Sequence, residues 1–360
     1  MPPEAVLAVA DALRPASEAE LAEDIRSARG PLSILGGGTR LLPGEGRATP
    51  LRTGGLTGIT LYEPAALTLV ARAGTPLAEI EAAVAAENQM LAFEPPPAAG
   101  STIGGVIAAN ASGSRRVQAG AARDALIGVR FVDGSGEVIA NGGRVMKNVT
   151  GYDLVKLMAG SRGTLGVLTE VALKTAPLPP ATRVLRLSGL SAAEAIAPLT
   201  IALTGPFDVT AALWLPGPGA LIRLEGLSQS VAVRAEALKA RLRGFQIEDT
   251  PHLRLDENIL GGPGADSPRR DGDVWRILCR PSQAPAILAT IPEPLRLDWG
   301  GALILARLPE GSMPPLPPGA IATRLTGAPA RLPPPDPVTA RLEAGLRARF
   351  DPRGLFASPA

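Results

Sequence analysis

The chain is 360 residues long, 46% hydrophobic and 19% charged, with a formal net charge of +2. That length predicts about two domains, each able to bury a core, and the composition excludes a generally disordered chain. Aromatic residues make up only 3% and no basic run is long, which excludes a stacking platform or an electrostatic footprint for nucleic acid.

Cys279 is the only cysteine, so an internal disulfide framework and a cysteine-rich metal or iron–sulfur site are excluded within this chain. A reducing, cytosolic setting is the simplest reading. The opening MPPEAVLAVADALRP has an early acid, no basic start and no long apolar core, and predicts no signal peptide. Pro95–Ser114 is the longest uncharged stretch, and its Gly, Ala, Ser and Asn make it too polar for a membrane helix. The expectation is a soluble chain that reaches a membrane only through a partner.

Ser17 with Glu20 reads as a capping box opening a helix to about Ala28. Pro31–Leu35 predicts a short buried strand ending at Gly36-Gly37-Gly38-Thr39-Arg40. A Rossmann fingerprint would run directly into a helix, whereas Leu41-Leu42-Pro43-Gly44 breaks the chain. The loop therefore reads either as a phosphate cradle without a Rossmann helix or as a tight turn with no ligand. Leu67–Ala71 predicts a strand, and Thr75-Pro76 starts a helix over Leu77–Ala86 with Ile80 and Val84 on one face.

After Pro95–Pro97 comes AGSTIGGVIAANASGS, Ala99–Ser114. Its backbone N–H groups and the hydroxyls of Ser101 and Thr102 suit pyrophosphate oxygens, and Asn110 and Ser112 suit further hydrogen bonds. Ile103–Ala109 equally reads as a small-residue helix packed tightly on a sheet, and the two roles are compatible. Val129–Val132 and Glu137–Ala140 predict a hairpin about Asp133-Gly134-Ser135-Gly136.

The densest glycine pattern is Gly142–Leu168, GGRVMKNVTGYDLVKLMAGSRGTLGVL, where glycines flank a helix-like Leu154–Met158 and lead into the strand Val167–Lys174. Glycine is kept where backbone must turn with positive φ or lie close against another surface. Three such segments from distant parts of one domain point to a large, flat, partly phosphorylated ligand.

Pro177-Leu178-Pro179-Pro180 marks a linker. Beyond it, strands are predicted near Val184–Leu187, Val209–Leu215, Ala220–Leu224, Val274–Cys279 and Leu303–Leu308. A helix capped by Ser191 and Glu194, and another over Val231–Leu242, sit between them, an α+β order of ferredoxin-like type. Gly261–Gly272 reads as a loop, Ser312–Gly319 and Pro333–Pro337 as proline-rich connections, and Val338–Arg349 as a last helix.

The GGGT loop, STIGGVIAANASG and KNVTGYD…GSRGTLGVLTE resemble, in the same order, the FAD-binding domain of the vanillyl-alcohol oxidase/p-cresol methylhydroxylase (PCMH) flavoproteins over about residues 20–176. Trp275-Arg276-Ile277, Asp298-Trp299-Gly300-Gly301 and the closing Phe350-Asp351-Pro352 are similar to the family of smaller FAD-binding subunits of bacterial glycolate oxidases, extending the likeness over nearly the whole chain. The resemblance implies an α+β fold. Its PCMH-type FAD-binding domain, of two α+β subdomains, would cover residues 1–177, a smaller ferredoxin-like α+β domain for capping or partner contact 181–335, and a C-terminal helix and tail 336–360. It also implies a cytoplasmic FAD-binding subunit, peripheral to the inner membrane through its complex, that works beside a larger flavin subunit and an iron–sulfur subunit to oxidise glycolate to glyoxylate.

Carried over motif by motif, Gly36, Gly37, Gly38 and Thr39 would hold the FAD pyrophosphate. Ser101, Thr102, Gly104, Gly105, Asn110, Ser112 and Gly113 would line the diphosphate and ribityl chain, and Gly163, Gly166 and Val167 would meet the flavin ring edge. Tyr152 is expected near that pocket or in packing. No His or Cys follows the first loop, so FAD is expected to be non-covalent.

Related 2-hydroxy-acid dehydrogenases place histidines over the flavin, whereas this chain has only His252, and Arg162 stands where relatives carry an acid. No metal site and no catalytic residue are assigned. Arg223, Arg276 and Arg307 are available to hold a carboxylate, each equally suited to a solvated face. Two other readings stay open: a non-catalytic scaffold with a degenerate flavin site, and a self-sufficient flavin oxidoreductase acting on another substrate, with the second domain as its lid.

Overall fold

The computed structural model describes residues 12–143, 152–250, 272–328 and 331–357. His252 and most of the Gly261–Gly272 loop lie outside them. In the first subdomain, α1 (Glu18–Ser27) begins where Ser17 Oγ accepts the Glu20 N–H and the Glu20 carboxylate accepts the Ala16 N–H. Its buried Leu21, Ala22 and Ile25 share a cluster with residues of the parallel pair β1 (Leu32–Leu35) and β2 (Thr49–Arg52), and with Val132, Val167, Leu355 and Phe356.

The second subdomain contains β3 (Ile59–Glu63), β4 (Thr68–Arg72), α2 (Leu77–Ala86), the short β5 (Gln89–Met90) and three short helices, α3 (Ile103–Ala108), α4 (Arg116–Ala119) and α5 (Ala122–Ala125). It continues through β6 (Leu126–Val132), β7 (Val138–Gly142), α6 (Leu154–Met158) and β8 (Val167–Lys174), and β9 (Ala176–Pro177) then pairs with β5. The five longer strands form an antiparallel sheet in the order β3-β4-β8-β6-β7. The hairpin at residues 133–136 forms as expected, with Asp133 Oδ1 accepting the Ser135 and Glu137 N–H groups. α3 packs on this sheet: Ile103, Val106 and Ile107 are buried with Leu69, Val171 and Phe131.

The second half is larger than one ferredoxin-like unit. β10 (Ala181–Leu187), α7 (Ala192–Thr204), β11 (Val209–Leu215), β12 (Gly219–Gly226), α8 (Ser228–Arg241) and β13 (Ile247–Thr250) form the strand order β13-β10-β12-β11. β14 (Asp273–Leu278), α9 (Ala284–Leu288), β15 (Glu293–Asp298), β16 (Leu303–Leu308) and β17 (Ile321–Arg324) repeat it as β17-β14-β16-β15, with β18 (Arg331–Leu332) at the far edge. The two units join where β11 meets β15, at Trp214 and Leu297, into one antiparallel nine-stranded sheet. The strands that complete the two units are quiet in the sequence: β13 is a polar edge strand and β15 carries Pro294 at a register shift. Neither leaves the period-2 apolar alternation that marks a strand.

α10 (Pro337–Phe350) then carries the chain back to the first domain. The Phe350 ring lies 6.0 Å from that of Phe131 and tilted by 54° to it, Leu32 and Leu355 bond through their backbones, and the Asp351 carboxylate accepts the Leu355 and Phe356 N–H groups. The tail therefore closes the first subdomain's core.

A buried polar cluster locks the two domains together. Glu225 of β12 accepts from Arg115 (2.5 Å), Arg223 (3.0 Å) and Thr210 (2.5 Å), while Glu94 bridges Arg115 and Arg223. Beside it, Ser114 donates to Asp298 at 2.7 Å, and Arg296 donates to both. Removing one partner from a buried ionic group leaves the others uncompensated, at a cost of about 3–5 kcal/mol. Glu225→Ala should therefore lower the urea midpoint of the whole chain by that much free energy, whereas Glu236→Ala on the exposed face of α8 should change it by under about 1 kcal/mol.

Cys279 follows β14 with its thiol directed at the Gly301 carbonyl, 3.4 Å away, and burial pushes its pKa up to about 11. The thiolate is the reactive form. Alkylation by iodoacetamide, followed by mass, should thus be slow at pH 8 and accelerate only as pH approaches 11; fast labelling at pH 8 would contradict this burial.

Candidate functional site

The glycine-rich segments converge on one cleft, with about 680 Å³ of empty space, on the first domain. Its walls are Gly36–Leu41 after β1, Thr102, Gly104 and Gly105 at the start of α3, Ala108 and Ala109 at its end, and Ser161–Gly163 with Gly166 before β8. The last wall is tied to α3, since Gly160 N–H donates to Ile107 O and Arg162 N–H to Ala108 O. Loops far apart in sequence are thereby set around one opening.

The glycines there do two different jobs. A Cβ on Gly37 would lie 1.7 Å from Gly100 O, one on Gly36 2.2 Å from Thr102 Oγ1, and one on Gly104 2.7 Å from the Ala73 Cβ. These three let wall pack on wall. A Cβ on Gly105 would meet only Thr102 Oγ1, at 3.3 Å, and one on Gly38, which has φ +72°, only the tip of Leu41 at 4.0 Å. These two face open space in the cleft. The N–H groups of Gly37, Gly38 and Thr39 make no backbone hydrogen bond among the described residues, so they remain available to an anion. By contrast the N–H groups of Ser101, Ile103 and Gly104 bond to Ala98, Thr75 and Ala73 carbonyls, and that of Gly105 is capped by Thr102. Four backbone donors of the second segment are thus used by the fold, while the Ser101 and Thr102 hydroxyls act there as acceptors.

Asn110, Ser112 and Gly113 lie outside the cleft wall. Asn110 Oδ1 accepts the Arg123 N–H and Ser112 Oγ that of Ala122, so both organise α5, and Gly113 O accepts the Trp299 indole N–H at 3.0 Å. Val167 is buried in the α1 cluster and Tyr152 is 88% exposed, neither on the wall. Ser101 is close by but engaged, its hydroxyl accepting from Arg40.

Arg40, Glu45, Ser161 and Arg162 also line the cleft, and of these only Arg162 is singled out by the sequence. Arg40 reaches across to Pro96 O at 2.6 Å, and burial lowers its pKa. Arg162, with φ +53°, makes a two-pronged ion pair with Glu45 at 2.6 Å and also holds the Arg40 carbonyl. The inverted charge at position 162 thus has its own acid, from the first loop. Ser161 Oγ is buried without a hydrogen-bond partner among the described residues, in a residue of the cleft wall. Open-faced glycines, free N–H groups and an orphan hydroxyl fit the phosphorylated, hydrogen-bonding surface of FAD.

Comparison with known proteins agrees. A family profile described as an FAD binding domain matches residues 10–142. The glycolate oxidase subunit GlcE of Escherichia coli K12 is 40% identical over 253 residues, covering 68% of this chain and 67% of that protein. This chain belongs to the GlcE family. As a member of it, the chain is an FAD-dependent oxidoreductase subunit of PCMH-type α+β fold. Glycolate oxidase subunit GlcD of Bacillus subtilis is 43% identical over 97 residues, 26% of this chain and only 21% of GlcD. A solved alkyldihydroxyacetonephosphate synthase shares the fold with a TM-score of 0.65 at 14% identity, over 95% of this chain and 75% of its own. No described helix is long and apolar enough to cross a membrane, and no described group of three His, Cys, Asp or Glu could hold a metal ion.

The two glycine roles give a paired test. Gly105→Leu should copurify with little flavin yet melt at the temperature of the flavin-stripped wild type, because its side chain fills the cleft. Gly104→Val should destabilise the chain itself by about 1–3 kcal/mol through overpacking on Ala73. A Gly105→Leu protein with full flavin content by absorbance would place the cofactor elsewhere.

Proposed function

We propose that this chain is the FAD-binding subunit of a complex that oxidises a small 2-hydroxy acid, with glycolate giving glyoxylate, and passes electrons to an iron–sulfur partner beside a larger flavin subunit. The observation that carries this reading is the glycine-walled cleft, with its free N–H groups and orphan Ser161 hydroxyl, in a chain 40% identical to a glycolate oxidase subunit. Gly36–Thr39 with Gly105 would receive the FAD pyrophosphate, with Gly163 and Gly166 along the far wall. Ser101, Thr102 and Gly104 support that wall, and Asn110, Ser112, Gly113 and Val167 act from behind it. Among the described residues no His, Cys or Tyr lines the cleft, which supports non-covalent binding.

FAD, when bound, supplies the hydride acceptor that alcohol oxidation requires. The described residues of the cleft wall supply little acid–base chemistry. The titratable groups described on the cleft wall are Arg40, Glu45 and Arg162, and Glu45 is consumed by Arg162. Removing the hydroxyl proton needs a base that titrates near neutral pH, and none of these is free to do so. Electron relay with the larger flavin subunit is therefore favoured over independent turnover. α10 supports association, since Val338, Leu342 and Leu346 stand exposed on one helix face among Arg341, Arg347 and Arg349. A cytoplasmic complex peripheral to the inner membrane is the matching location.

An anaerobic absorbance titration tests the reading. The purified chain should carry a flavin band that glycolate and D-lactate leave oxidised, and that bleaches when the larger flavin subunit is added with glycolate. Bleaching of the isolated chain by a 2-hydroxy acid would make it self-sufficient; absence of any flavin would make it a scaffold.

A further inference from the structure

The first loop of the cleft is fastened to the rest of the chain almost entirely by side chains. Among the described residues, no backbone–backbone hydrogen bond links residues 37–46 to any other segment. The one such bond they contain, from the Glu45 N–H to Leu42 O at 3.1 Å, is internal. An ordinary strand or helix of this length would be secured along its whole backbone. Here every hydrogen bond that leaves the loop, among the described residues, runs through one of two arginines.

Arg40, inside the loop, donates to Pro96 O at 2.6 Å and to Ser101 Oγ, which ties the loop to the second glycine segment. Arg162 grips it from the far wall. Its Nε and Nη2 donate to the two Glu45 oxygens, each at 2.6 Å, and Nη2 also donates to Arg40 O at 2.6 Å. Glu45 in turn accepts the Leu42 N–H at 2.6 Å, so one carboxylate holds both the turn of the loop and the far wall. The two side chains are only 22% and 11% exposed. Charge-assisted, two-pronged bonds of this kind are the strong ones. Arg162 pulls from a fixed point, because its own N–H is bonded to Ala108 O and that of Gly160 to Ile107 O.

The ends of the loop are free to turn. Gly38 and Gly46 have φ +72° and +80°, and a Cβ at either would meet only the tips of Leu41 and Leu35, at 3.5 Å or more. Rotation at such positions meets no wall. None of residues 37–46 is fully buried, so lifting them uncovers little core. Glu45 and Arg162 both line the cleft, and their ion pair joins its two walls. A ligand reaching from Gly37–Thr39 to Gly163 must share that space with the pair.

We propose that residues 37–46 form a strap that admits and then retains the cofactor, and that the Arg162–Glu45 pair is the clasp that sets the rate of both steps. The cofactor rests on the function proposed above, in which FAD is held without a covalent bond. A ligand so held leaves no faster than its enclosure opens. A clasp that closes equally over a filled or an empty cleft adds nothing to affinity. Breaking it therefore speeds entry and exit together. The pair acts on the strap; no proton or electron transfer is assigned to it.

The test follows flavin fluorescence in the full-length chain, as FAD is taken up by flavin-free protein and as it is released on dilution. Both rates should rise at least tenfold in Glu45→Gln and in Arg162→Gln, with equilibrium affinity and the flavin-free melting temperature changing little. The double variant should be no faster than either single one, because both remove the same contact. Glu45→Asp should fall between, since it keeps the charge and loses the reach for a two-pronged grip. A second readout needs no flavin. Trypsin should cut the Arg40–Leu41 bond, whose carbonyl Arg162 holds, at least tenfold faster in Arg162→Gln than in the wild type, and should cut after the exposed Arg47 equally in both.

Unchanged uptake and release in both glutamine variants would overturn the proposal. So would faster release with unchanged uptake, which would make the pair a contact of the ligand rather than a clasp. The two readings fail separately. Faster cutting after Arg40 in a chain that takes up no flavin would keep the clasp and sink the FAD reading, whereas flavin uptake at one rate in every variant would do the reverse.

Discussion

Glu225 is the point on which the two domains depend. A carboxylate that enclosed is tolerable only with several donors, and it has two arginines and two threonine hydroxyls, one arginine coming from the other domain. Because Glu94 binds the same two arginines from the first-domain side, neither domain can rotate without stranding charge in a dry place. The interface is therefore polar in composition yet rigid. That rigidity is what permits residues from α4 and β14 to be set against a single indole, and Ser114 and Arg115, adjacent to Arg116, are themselves pinned in the network.

The glycine-walled cleft shows how loops can be gathered around one opening when the chain offers no Rossmann helix. Glycines do most of the structural fitting at its rim, but the majority serve contact between protein segments. Gly36, Gly37 and Gly104 allow approaches that any Cβ would forbid, and the space left for a ligand appears at Gly38 and Gly105. A motif rich in glycine thus encodes two distances at once, one between loops and one between loop and ligand. The Arg162–Glu45 pair adds a latch from the far wall to the first loop, so that both sides of the opening share one electrostatic contact.

The second domain duplicates its unit. Each half places helices on one face of four antiparallel strands, and joining them edge to edge removes the two inner edges that would otherwise be free to pair with other chains. Its cost is a long sheet whose centre must meet the first domain. The strands there, β11, β12 and β15, carry Thr210, Arg223, Glu225, Arg296 and Asp298, the polar residues of the interface.

Much of this was determined by the sequence alone. Local chemistry marks α1 and α7 through Ser17 and Ser191, the hairpin through Asp133, and the strands β8, β11 and β16 through continuous apolar runs. The three glycine segments pointed to a large, partly phosphorylated ligand, and their resemblance to a flavoprotein family implied FAD. Tertiary structure alone decided the rest. Whether a backbone N–H near Ser101–Gly105 is free or used depends on Thr75 and Ala73, which contact it across the fold. Whether an arginine is solvated, paired or left facing another cation depends on residues far away along the chain, and no periodicity records that. Arg223 is bound by Glu94 and Arg307 lies against Glu293, while Arg276 is left to Arg116 and Trp299. Short-range interactions write themselves into neighbouring residues; a charge's partner is chosen only when the chain has closed.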